Sequence, residues 1–411
     1  MNIFLKEFKE RGFFYQCTGE ENLSQLLDKE KINAYIGFDC TAESLHVGSL
    51  LQIMCLRLLQ KHGHRPIVLL GGGTTRIGDP SGKDKTRTIL SEEEIEKNIK
   101  NIEKILKNFL TDTNPKTKPI FVNNYSWLKN LNYISFLRDI GKHFTINRMI
   151  SMESVKLRLD REQPLTFLEF NYMLLQAYDF MELNNRYDVS LQMGGSDQWG
   201  NIVNGIDLTR RLNKKSVFGL TTPLLTKADG SKMGKSANGA IWLNSDKLSP
   251  YEFWQFWRNT LDADVGKFLK LFTELPVSEC DRLGSLEGQN INEAKIILAN
   301  EVTKLCHGEE AALSSEKTAH KVFTEDSSDE NLPTLEILNT EIIDGISFTQ
   351  ALVRTGLVSS GKEAKRIIAG GGARLNDQVI NDAGFMLYAA DLQKTPKISA
   401  SKKKHALIKV I

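Results

Sequence analysis

The stretch Tyr35-Ile-Gly-Phe-Asp-Cys-Thr-Ala-Glu-Ser-Leu-His-Val-Gly-Ser-Leu50 decides the fold class of this chain. It has the pattern of a short strand that ends near Asp39, followed by a helix that begins at Val47 or Gly48. A strand that turns into a helix N-terminus brings unpaired N–H groups and a positive dipole end to one point, which favours a phosphate. Taken alone, His46 is more typical of an ordinary loop residue.

A second apolar run, Pro66-Ile-Val-Leu-Leu70, completes a strand–helix–strand unit and predicts an α/β domain with a parallel sheet. The loop that follows, residues 71–83, is rich in glycine and carries Asp79 and Lys83. Ligands of open α/β sheets bind at the carboxyl ends of the strands, so this loop is a candidate binding element. It lacks the Gly-Lys-Ser/Thr ending of a Walker loop, and by itself it fits a solvated surface loop equally well.

The segment 164–183 predicts a mostly apolar helix with Tyr172, Gln176 and Asp179 in one stripe. Polar groups on a buried helix need partners, because each unpaired one costs about 1–3 kcal/mol. An internal hydrogen-bond network is one explanation, and a small polar ligand with donors and acceptors is the other.

Two further loops carry candidate groups. Residues 188–193 read as a strand that ends in Gly194-Gly-Ser-Asp-Gln-Trp-Gly-Asn201, where Asp197 and Gln198 would face the same crevice. Residues 226–236, here called the lysine loop, place two lysines three apart among Gly and Ser. Such lysines suit a polyphosphate transition state, although a solvated loop is the simpler explanation when it is taken alone.

The bulk composition, with 41% hydrophobic and 25% charged residues, is that of a globular chain. No apolar run reaches the length of a membrane span, and the charged N-terminus lacks a signal-peptide core, so we expect no membrane association. The five cysteines include no Cys-x-x-Cys pair, which favours a reducing cytoplasm over a disulfide framework or a zinc site. Residues 346–411 hold eleven Lys and Arg against four Asp and Glu, while residues 1–345 hold 42 against 47. A basic terminal segment predicts a polyanionic partner.

Four motifs stand in one order: Tyr-x-Gly-Phe-Asp-x-Thr with His-Val-Gly-Ser, Ile-Gly-Asp-Pro-Ser-Gly-Lys, Gly-Gly-Ser-Asp-Gln-Trp-Gly-Asn, and Lys-Met-Gly-Lys-Ser. Together with the Tyr-Gln-Asp helix they closely resemble the bacterial-type tyrosyl-tRNA synthetases, a family of class I aminoacyl-tRNA synthetases. The resemblance covers essentially the whole chain. It implies an α/β fold with a Rossmann-like parallel-sheet catalytic domain and helical insertion, then an α-helical domain and a small α+β RNA-binding domain. The expected bounds are 1–225, 226–323 and 346–411, with a linker at 324–345.

The resemblance also implies a role for residues at matching positions. Residues 46–49, here called the first signature, occupy the positions of the family's His-Ile-Gly-His motif. Ser49 departs from that motif, and Ile36 lies where many relatives have a small residue. The implied catalytic group, which grips the phosphates, is Thr41, His46, Lys83, Arg87, Lys232 and Lys235. The implied tyrosine pocket is Tyr35, Asp39, Asp79, Tyr172, Gln176, Asp179, Gln192 and Gln198. The implied ATP-binding group is Gly37, His46, Gly48, Ser49, Gly195, Asp197 and Lys235.

By the same resemblance, L-tyrosine would attack ATP to give tyrosyl-adenylate and pyrophosphate, and the tyrosyl group would pass to tRNA(Tyr). Mg²⁺ would arrive with ATP, and no protein-bound metal is expected. The implied assembly is a cytoplasmic homodimer, with the predicted helices at 133–144 and 147–159 as the expected contact.

Three other functions are considered. A tryptophanyl-tRNA synthetase would share the fold and signatures, although the polar Tyr35 and Asp179 favour tyrosine. A non-catalytic RNA-binding or splicing protein would keep the terminal module on a vestigial body. A generic nucleotidyltransferase would explain the phosphate loops but neither the polar helix nor the basic tail.

Overall fold

The computed structural model forms two compact units, Met1–Glu316 and Lys317–Ile411, which we describe separately. The residues that it describes are 1–81, 90–111, 113–230, 233–236, 239–324, 334–339, 341–342, 345–392, 395–401 and 404–410.

The first unit is built on a sheet with the order β1-β6-β5-β2-β3-β4. All neighbouring pairs are parallel except β1 with β6. The register places Tyr35 of β2 beside Ile67 of β3 and Gln192 of β5. The predicted parallel α/β fold is therefore confirmed. The strands of this unit are β1 Gln16–Cys17, β2 Asn33–Phe38, β3 Arg65–Leu70, β4 Ile120–Asn123, β5 Val189–Gly195 and β6 Phe218–Thr222, with the short pair β7 Lys235–Ser236 and β8 Gly239–Ala240 beyond them.

Helices cover the sheet and extend beyond it. Those up to the end of the sheet are α1 Ile3–Glu10, α2 Glu20–Lys29, α3 Val47–Lys61, α4 Gly72–Thr75, α5 Glu92–Phe109, α6 Tyr125–Leu128, α7 Tyr133–Asp139, α8 Ile146–Ile150, α9 Glu153–Asp160, α10 Phe167–Tyr187 and α11 Trp199–Leu212. The later ones are α12 Pro250–Arg258, α13 Asp262–Phe272, α14 Val277–Gly284, α15 Ile291–His307 and α16 Glu309–Thr324. None of the helices in the described ranges has the length and apolar content that crossing a membrane requires.

Local sequence explains where the long helices begin and end. α3 begins after His46 and ends before His62, as predicted, and its apolar side chains, such as Leu50 and Leu56, are buried. Ser91 caps α5, and Glu94 returns a bond to the Ser91 backbone, which completes the predicted capping box. α10 has the same device at Thr166 and ends where Asp188 adopts a left-handed conformation with φ 49°.

Two predicted helical segments are shorter than expected. The pair predicted at 133–144 and 147–159 is wrong in extent, because the chain forms α7, a 3-10 turn at Gly141–His143, α8 and α9. Thr145 and Met152 have extended backbones at these breaks, which end each helical run. The helical stretch predicted at 248–273 is likewise divided into α12 and α13, because Leu261 is extended.

The second unit packs two helices on a small sheet of order β12-β11-β14-β15-β9. Its core includes Phe348, Leu352, Ile368, Ile398 and Ile408. The two helices predicted at 347–352 and 360–369 are confirmed within a residue or two. The elements are β9 Thr334–Ile337, β10 Ile346–Ser347, α17 Phe348–Arg354, α18 Gly361–Ala369, β11 Arg374–Leu375, β12 Gln378–Val379, β13 Met386–Leu387, β14 Lys397–Ser401 and β15 Lys404–Val410.

The linker predicted at 324–345 differs from the structure. β9 lies within it and pairs in parallel with β15, so this part of the chain belongs to the second unit's sheet. The strand has only four residues and begins just after the acidic, Ser-rich stretch 324–333, so it was included in the predicted linker. The predicted catalytic region, 1–225, and the predicted helical region, 226–323, both belong to the first unit as far as Glu316. The bounds proposed for these two regions remain predictions.

Candidate functional site

A crevice of about 510 Å³ opens at the carboxyl ends of β2 and β5. Parallel strands place their carboxyl ends at one edge of a sheet, so the loops predicted to share a crevice do meet there. Among the groups proposed from the sequence, the crevice is lined by Tyr35, Gly37, Asp39, His46, Gly48, Ser49, Asp79, Tyr172, Gln176, Asp179, Gln192, Gly195, Asp197 and Gln198.

Asp179 lies at the closed end of the crevice and is only 1% exposed. Its carboxylate accepts hydrogen bonds from Asn124 Nδ2 at 2.9 Å and from Trp127 Nε1 at 2.8 Å. Burial raises the pKa of Asp179 to about 7, and these two bonds oppose the rise. The carboxylate is therefore a hydrogen-bond acceptor that is held in place but poorly solvated.

Tyr35 comes from the middle of β2 and packs edge-on against Phe180, with ring centroids 5.3 Å apart. Its hydroxyl is buried and has no hydrogen-bond partner among the residues that the structure describes. Burial, with the nearby charge of Asp179, raises the pKa of Tyr35 well above its ordinary value, so the phenol stays neutral. A neutral donor and a carboxylate thus occupy the same end of the crevice.

Asp39, just after β2, is held by two hydroxyls. Tyr172 donates to Asp39 Oδ2 at 2.9 Å, and Thr74 donates to Asp39 Oδ1 at 2.7 Å. Gly71 leaves the room for this arrangement, since a Cβ there would lie 2.1 Å from Asp39 Oδ1 and 3.1 Å from the Asp39 Cα. The predicted polar stripe of α10 therefore reaches across to the end of β2.

Two amide oxygens in the crevice are also unpartnered. Gln176 Oε1 and Gln192 Oε1 are buried and lack a hydrogen-bond partner within the described ranges. Buried polar atoms are rarely left in this state unless water or a ligand supplies the partner. The stripe of α10 is thus only partly an internal network, and donors from a ligand would complete it.

The loop after β3 is tied to the turn after β5. Gln198 Nε2 donates to Asp79 Oδ2 at 2.9 Å, and Asn201 Nδ2 donates to Gln198 Oε1 at 3.2 Å. Burial raises the pKa of Asp79, while hydrogen bonds from Ser81 and Gln198 oppose the rise. This places a carboxylate on the crevice wall where a ligand's ammonium group would be stabilised.

The other end of the crevice is the N-terminus of α3. His46 caps the helix, its Nδ1 accepting from Gly48 N at 2.9 Å. Gly234 of the lysine loop lies against this turn with φ +94°, and a Cβ there would be 3.1 Å from Gly48 N. The first signature and the lysine loop therefore meet at a helix N-terminus, where an anion is favoured.

Of the predicted catalytic group, only His46 lines the crevice among the residues that the structure describes. Thr41 is exposed and does not line it. Lys83, Arg87 and Lys232 lie outside the described residues, as does the side chain of Lys235. The proposed cationic group therefore rests on sequence.

Sequence reasoning missed several groups that shape the site. Asn124 and Trp127 hold Asp179, and Asn124 Nδ2 also donates to Thr74 Oγ1 at 3.0 Å. Gln52 Nε2 donates to Thr222 Oγ1 at 2.8 Å on the crevice wall. The only signal for Asn124 was its position directly after the β4 strand, where ligands of such sheets bind.

Within the ranges that the structure describes, no group of three or more His, Cys, Asp or Glu side chains is arranged to hold a metal ion. The carboxylates of the crevice are instead engaged by neutral donors.

Comparison with known proteins gives one consistent family. Residues 27–324 match the sequence model of the class I tRNA synthetases (W and Y). The chain is 64% identical to the tyrosine–tRNA ligase of Pelagibacter ubique, with all of both chains covered. It is 60% identical to that of Dinoroseobacter shibae, covering 99% of this chain and 97% of the relative. A C-terminally truncated mitochondrial tyrosyl-tRNA synthetase of Aspergillus nidulans superposes with a TM-score of 0.71 at 29% identity, covering 78% of this chain and 94% of that one.

Proposed function

The chain belongs to the class I tRNA synthetases of the tryptophan and tyrosine group, and we propose from this that it joins L-tyrosine to tRNA(Tyr) at the expense of ATP. The observation that carries the choice of amino acid is that the buried side chains of Tyr35 and Asp179 lie near each other on the crevice wall. A phenol hydroxyl placed there donates to the Asp179 carboxylate and accepts from Tyr35, whose hydroxyl has no partner among the described residues.

The remaining groups of this end orient the amino acid. Asp79 and the oxygen of Gln176 accept from the α-ammonium group, beside Tyr172, and Gln198 keeps Asp79 in position. Asp39 and Gln192 complete the polar wall. The tyrosine carboxylate is thereby left free and directed toward the N-terminus of α3.

The first chemical step needs no nucleophile from the protein. The tyrosine carboxylate attacks the α-phosphorus of ATP, the bond to the β-phosphate oxygen breaks, and pyrophosphate leaves. Orientation and stabilisation of the charge on the leaving phosphates then account for the rate. Gly37, Gly48, Ser49, Gly195 and Asp197 hold the nucleoside.

The phosphates lie against the first signature. His46, at the N-terminus of α3, serves the γ-phosphate in this proposal. Thr41, which is exposed and does not line the described crevice, is assigned to the same phosphate by the family resemblance alone, and a cationic group binds the pyrophosphate. That cationic group is Lys83, Arg87, Lys232 and Lys235. Mg²⁺ enters with ATP and supplies charge neutralisation on the phosphates.

In the second step, a ribose hydroxyl of the terminal adenosine of tRNA(Tyr) attacks the carbonyl carbon of the adenylate, an ester bond to the tRNA forms, and AMP leaves. The basic residues of 346–411 hold the RNA through its phosphates, which makes charging more sensitive to salt than adenylate formation.

We also propose a cytoplasmic homodimer. The five cysteines are unpaired, which fits a reducing compartment. The segment 133–159 exposes large apolar side chains, of which Tyr133 is 59%, Ile134 69% and Ile146 62% exposed. Such a patch on one region favours burial against another chain. Replacing Ile134 with glutamate should shift the protein to monomers in sedimentation velocity, and an unchanged sedimentation coefficient would move the contact elsewhere.

Amino-acid-dependent ATP–pyrophosphate exchange tests the reaction. Tyrosine should support exchange, and tryptophan and phenylalanine should not. Exchange with tryptophan would make the protein a tryptophanyl enzyme, and no exchange with any amino acid would favour a non-catalytic RNA-binding role. The Asp179→Ala variant should lose tyrosine-dependent exchange, and full exchange by that variant would refute the pocket.

A further inference from the structure

The lysine loop leaves β6 and returns to the crevice through contacts made by its backbone. Met233 N donates to Leu225 O at 3.3 Å, which closes the base of the loop, and Met233 is buried on the crevice wall. Residues 225–228, here called the entry of the loop, therefore help to determine where residues 233–234 meet the first signature.

The exit of the loop is fixed to α3. Ile241 N donates to Gly234 O at 3.0 Å, and Ile241 O accepts from Val47 N at 2.9 Å. Ile241 thus joins Gly234 of the lysine loop to Val47, the first residue of α3. Leu243 N extends this contact to Leu45 O at 2.9 Å.

The entry of the loop is fixed to α13, a helix outside the crevice. Asp264 accepts a hydrogen bond from Ala228 N at 2.9 Å on its Oδ2 atom. Two residues earlier in the loop, Thr226 O accepts from Lys267 Nζ at 2.9 Å. The two contacts lie one turn apart on α13, so the helix grips the loop over several residues.

Asp264 is unusual among the acids of this region because it is only 3% exposed. The helix dipole stabilises an acid in the first turn of a helix. Asp264 is the third residue of α13, and an acid at that position ordinarily accepts a hydrogen bond from the backbone N–H of the N-cap residue. Here the residue before the helix, Leu261, provides no side-chain cap, and the Asp264 carboxylate bonds to the loop. A buried carboxylate is costly, and a charge-assisted bond to a backbone N–H offsets that cost.

The far end of α13 is anchored as well. Arg11 donates to Lys270 O and Thr273 O, both at 3.0 Å, and to Leu275 O at 2.8 Å. Arg57 of α3 pairs with Glu274 just beyond the helix at 2.7 Å. α3, which follows the first signature, is therefore tied to the end of α13, and α13 is a fixed support for the loop.

We infer that Asp264, assisted by Lys267, is a positioning residue that holds the lysine loop against the first signature for adenylate formation. The inference rests on the proposed function, because the loop's lysines are assigned to the leaving phosphates there. Asp264 does not line the crevice, so its effect should fall on the rate and not on tyrosine binding.

The test compares Asp264→Ala, Asp264→Asn and the matched control Asp262→Ala. Asp262 lies in the same turn, but its carboxylate is exposed and pairs with Lys295. Adenylate formation is measured per titrated active site, beside the dissociation constant for tyrosine. Removing a hydrogen bond to a charged group should slow D264A on the order of tenfold. D264N keeps an acceptor oxygen and should retain most of the rate, and D262A should match the wild type.

Amide hydrogen exchange of the peptide spanning 225–234 supplies a readout that does not depend on catalysis. The amide hydrogens of this peptide should exchange faster in D264A than in the wild type, and at the wild-type rate in D262A. Lys267→Met, which alters an exposed side chain, should slow adenylation severalfold even if D264A fails to fold. A normal rate per active site in both variants would overturn the inference, as would an equal loss of rate and tyrosine affinity. If the wild-type protein showed no tyrosine-dependent ATP–pyrophosphate exchange, the proposed function would be refuted. Hydrogen exchange of the 225–234 peptide would still test the contact between Asp264 and the loop.

Discussion

Replacing Asp179 with asparagine should change how the stability of the unliganded protein depends on pH. Asp179 is buried, and desolvation raises its pKa from the ordinary 3.8 to about 7. Between about pH 4 and pH 7 the folded protein therefore keeps a proton that the unfolded chain releases. Stability falls as the pH rises through this window, and the full penalty is present above pH 7.

The size of the effect follows from the shift. About three pKa units correspond to about 4 kcal/mol, of which roughly 3 kcal/mol develops between pH 5 and pH 9. Asparagine does not titrate, so its variant lacks this slope. It also loses one of the bonds from Asn124 and Trp127, because one carboxylate oxygen becomes an NH₂ group. That loss costs about 1–3 kcal/mol at every pH and leaves the slope unaffected.

Urea unfolding of both proteins at pH 5, 7 and 9 measures the difference directly. The wild type should lose about 3 kcal/mol relative to Asp179→Asn from the lowest pH to the highest. Asp160→Asn, a change in an exposed side chain of α9, is the control and should follow the wild type. Parallel pH profiles for the wild type and Asp179→Asn would refute the reasoning, because Asp179 would then titrate like a solvated carboxylate.

Three further predictions concern other parts of the chain. Tyr35→Phe removes an unpartnered buried hydroxyl, so thermal denaturation should show equal or greater stability without ligand, while pyrophosphate exchange should prefer tyrosine over phenylalanine less strongly. Gly71→Ala should lower the melting temperature and the affinity for tyrosine, because its Cβ would collide with Asp39, whereas Gly141→Ala, with its nearest contact at 3.6 Å, should be mild. Removal of residues 325–411 should spare pyrophosphate exchange and impair tRNA charging, and intact charging would mean that this unit does not read the tRNA. A deletion that begins at 346 is a poorer experiment, since it would leave β9 without β15.

The parts of the fold that sequence predicted well are those set by neighbouring residues. Ser91 and Glu94 are three positions apart, so their capping box could be read directly, and the same holds for the end of α3 at His62. The breaks at Thr145 and Leu261 were missed because neither residue is a glycine or proline that marks an interruption. Both residues take the N-cap positions of α8 and α13 without a side-chain capping bond, so no capping pattern in the sequence marks the breaks.

The site divides in the same way. The stripe of Tyr172, Gln176 and Asp179 follows from helical spacing alone, and the structure places it in the crevice. Asn124 and Trp127 could not be found in this way, because they are more than fifty residues from Asp179 in sequence and a hydrogen bond between two separate helices leaves no periodic signal. β9 was hidden for a related reason, since its partner β15 lies at the far end of the chain.

The unpartnered oxygens of Tyr35, Gln176 and Gln192 have a consequence for the lifetime of the protein between reactions. A ligand that binds only the folded protein and supplies these partners stabilises it against unfolding. When tyrosine is scarce, a larger share of the molecules stays in the form that opens more readily to proteases.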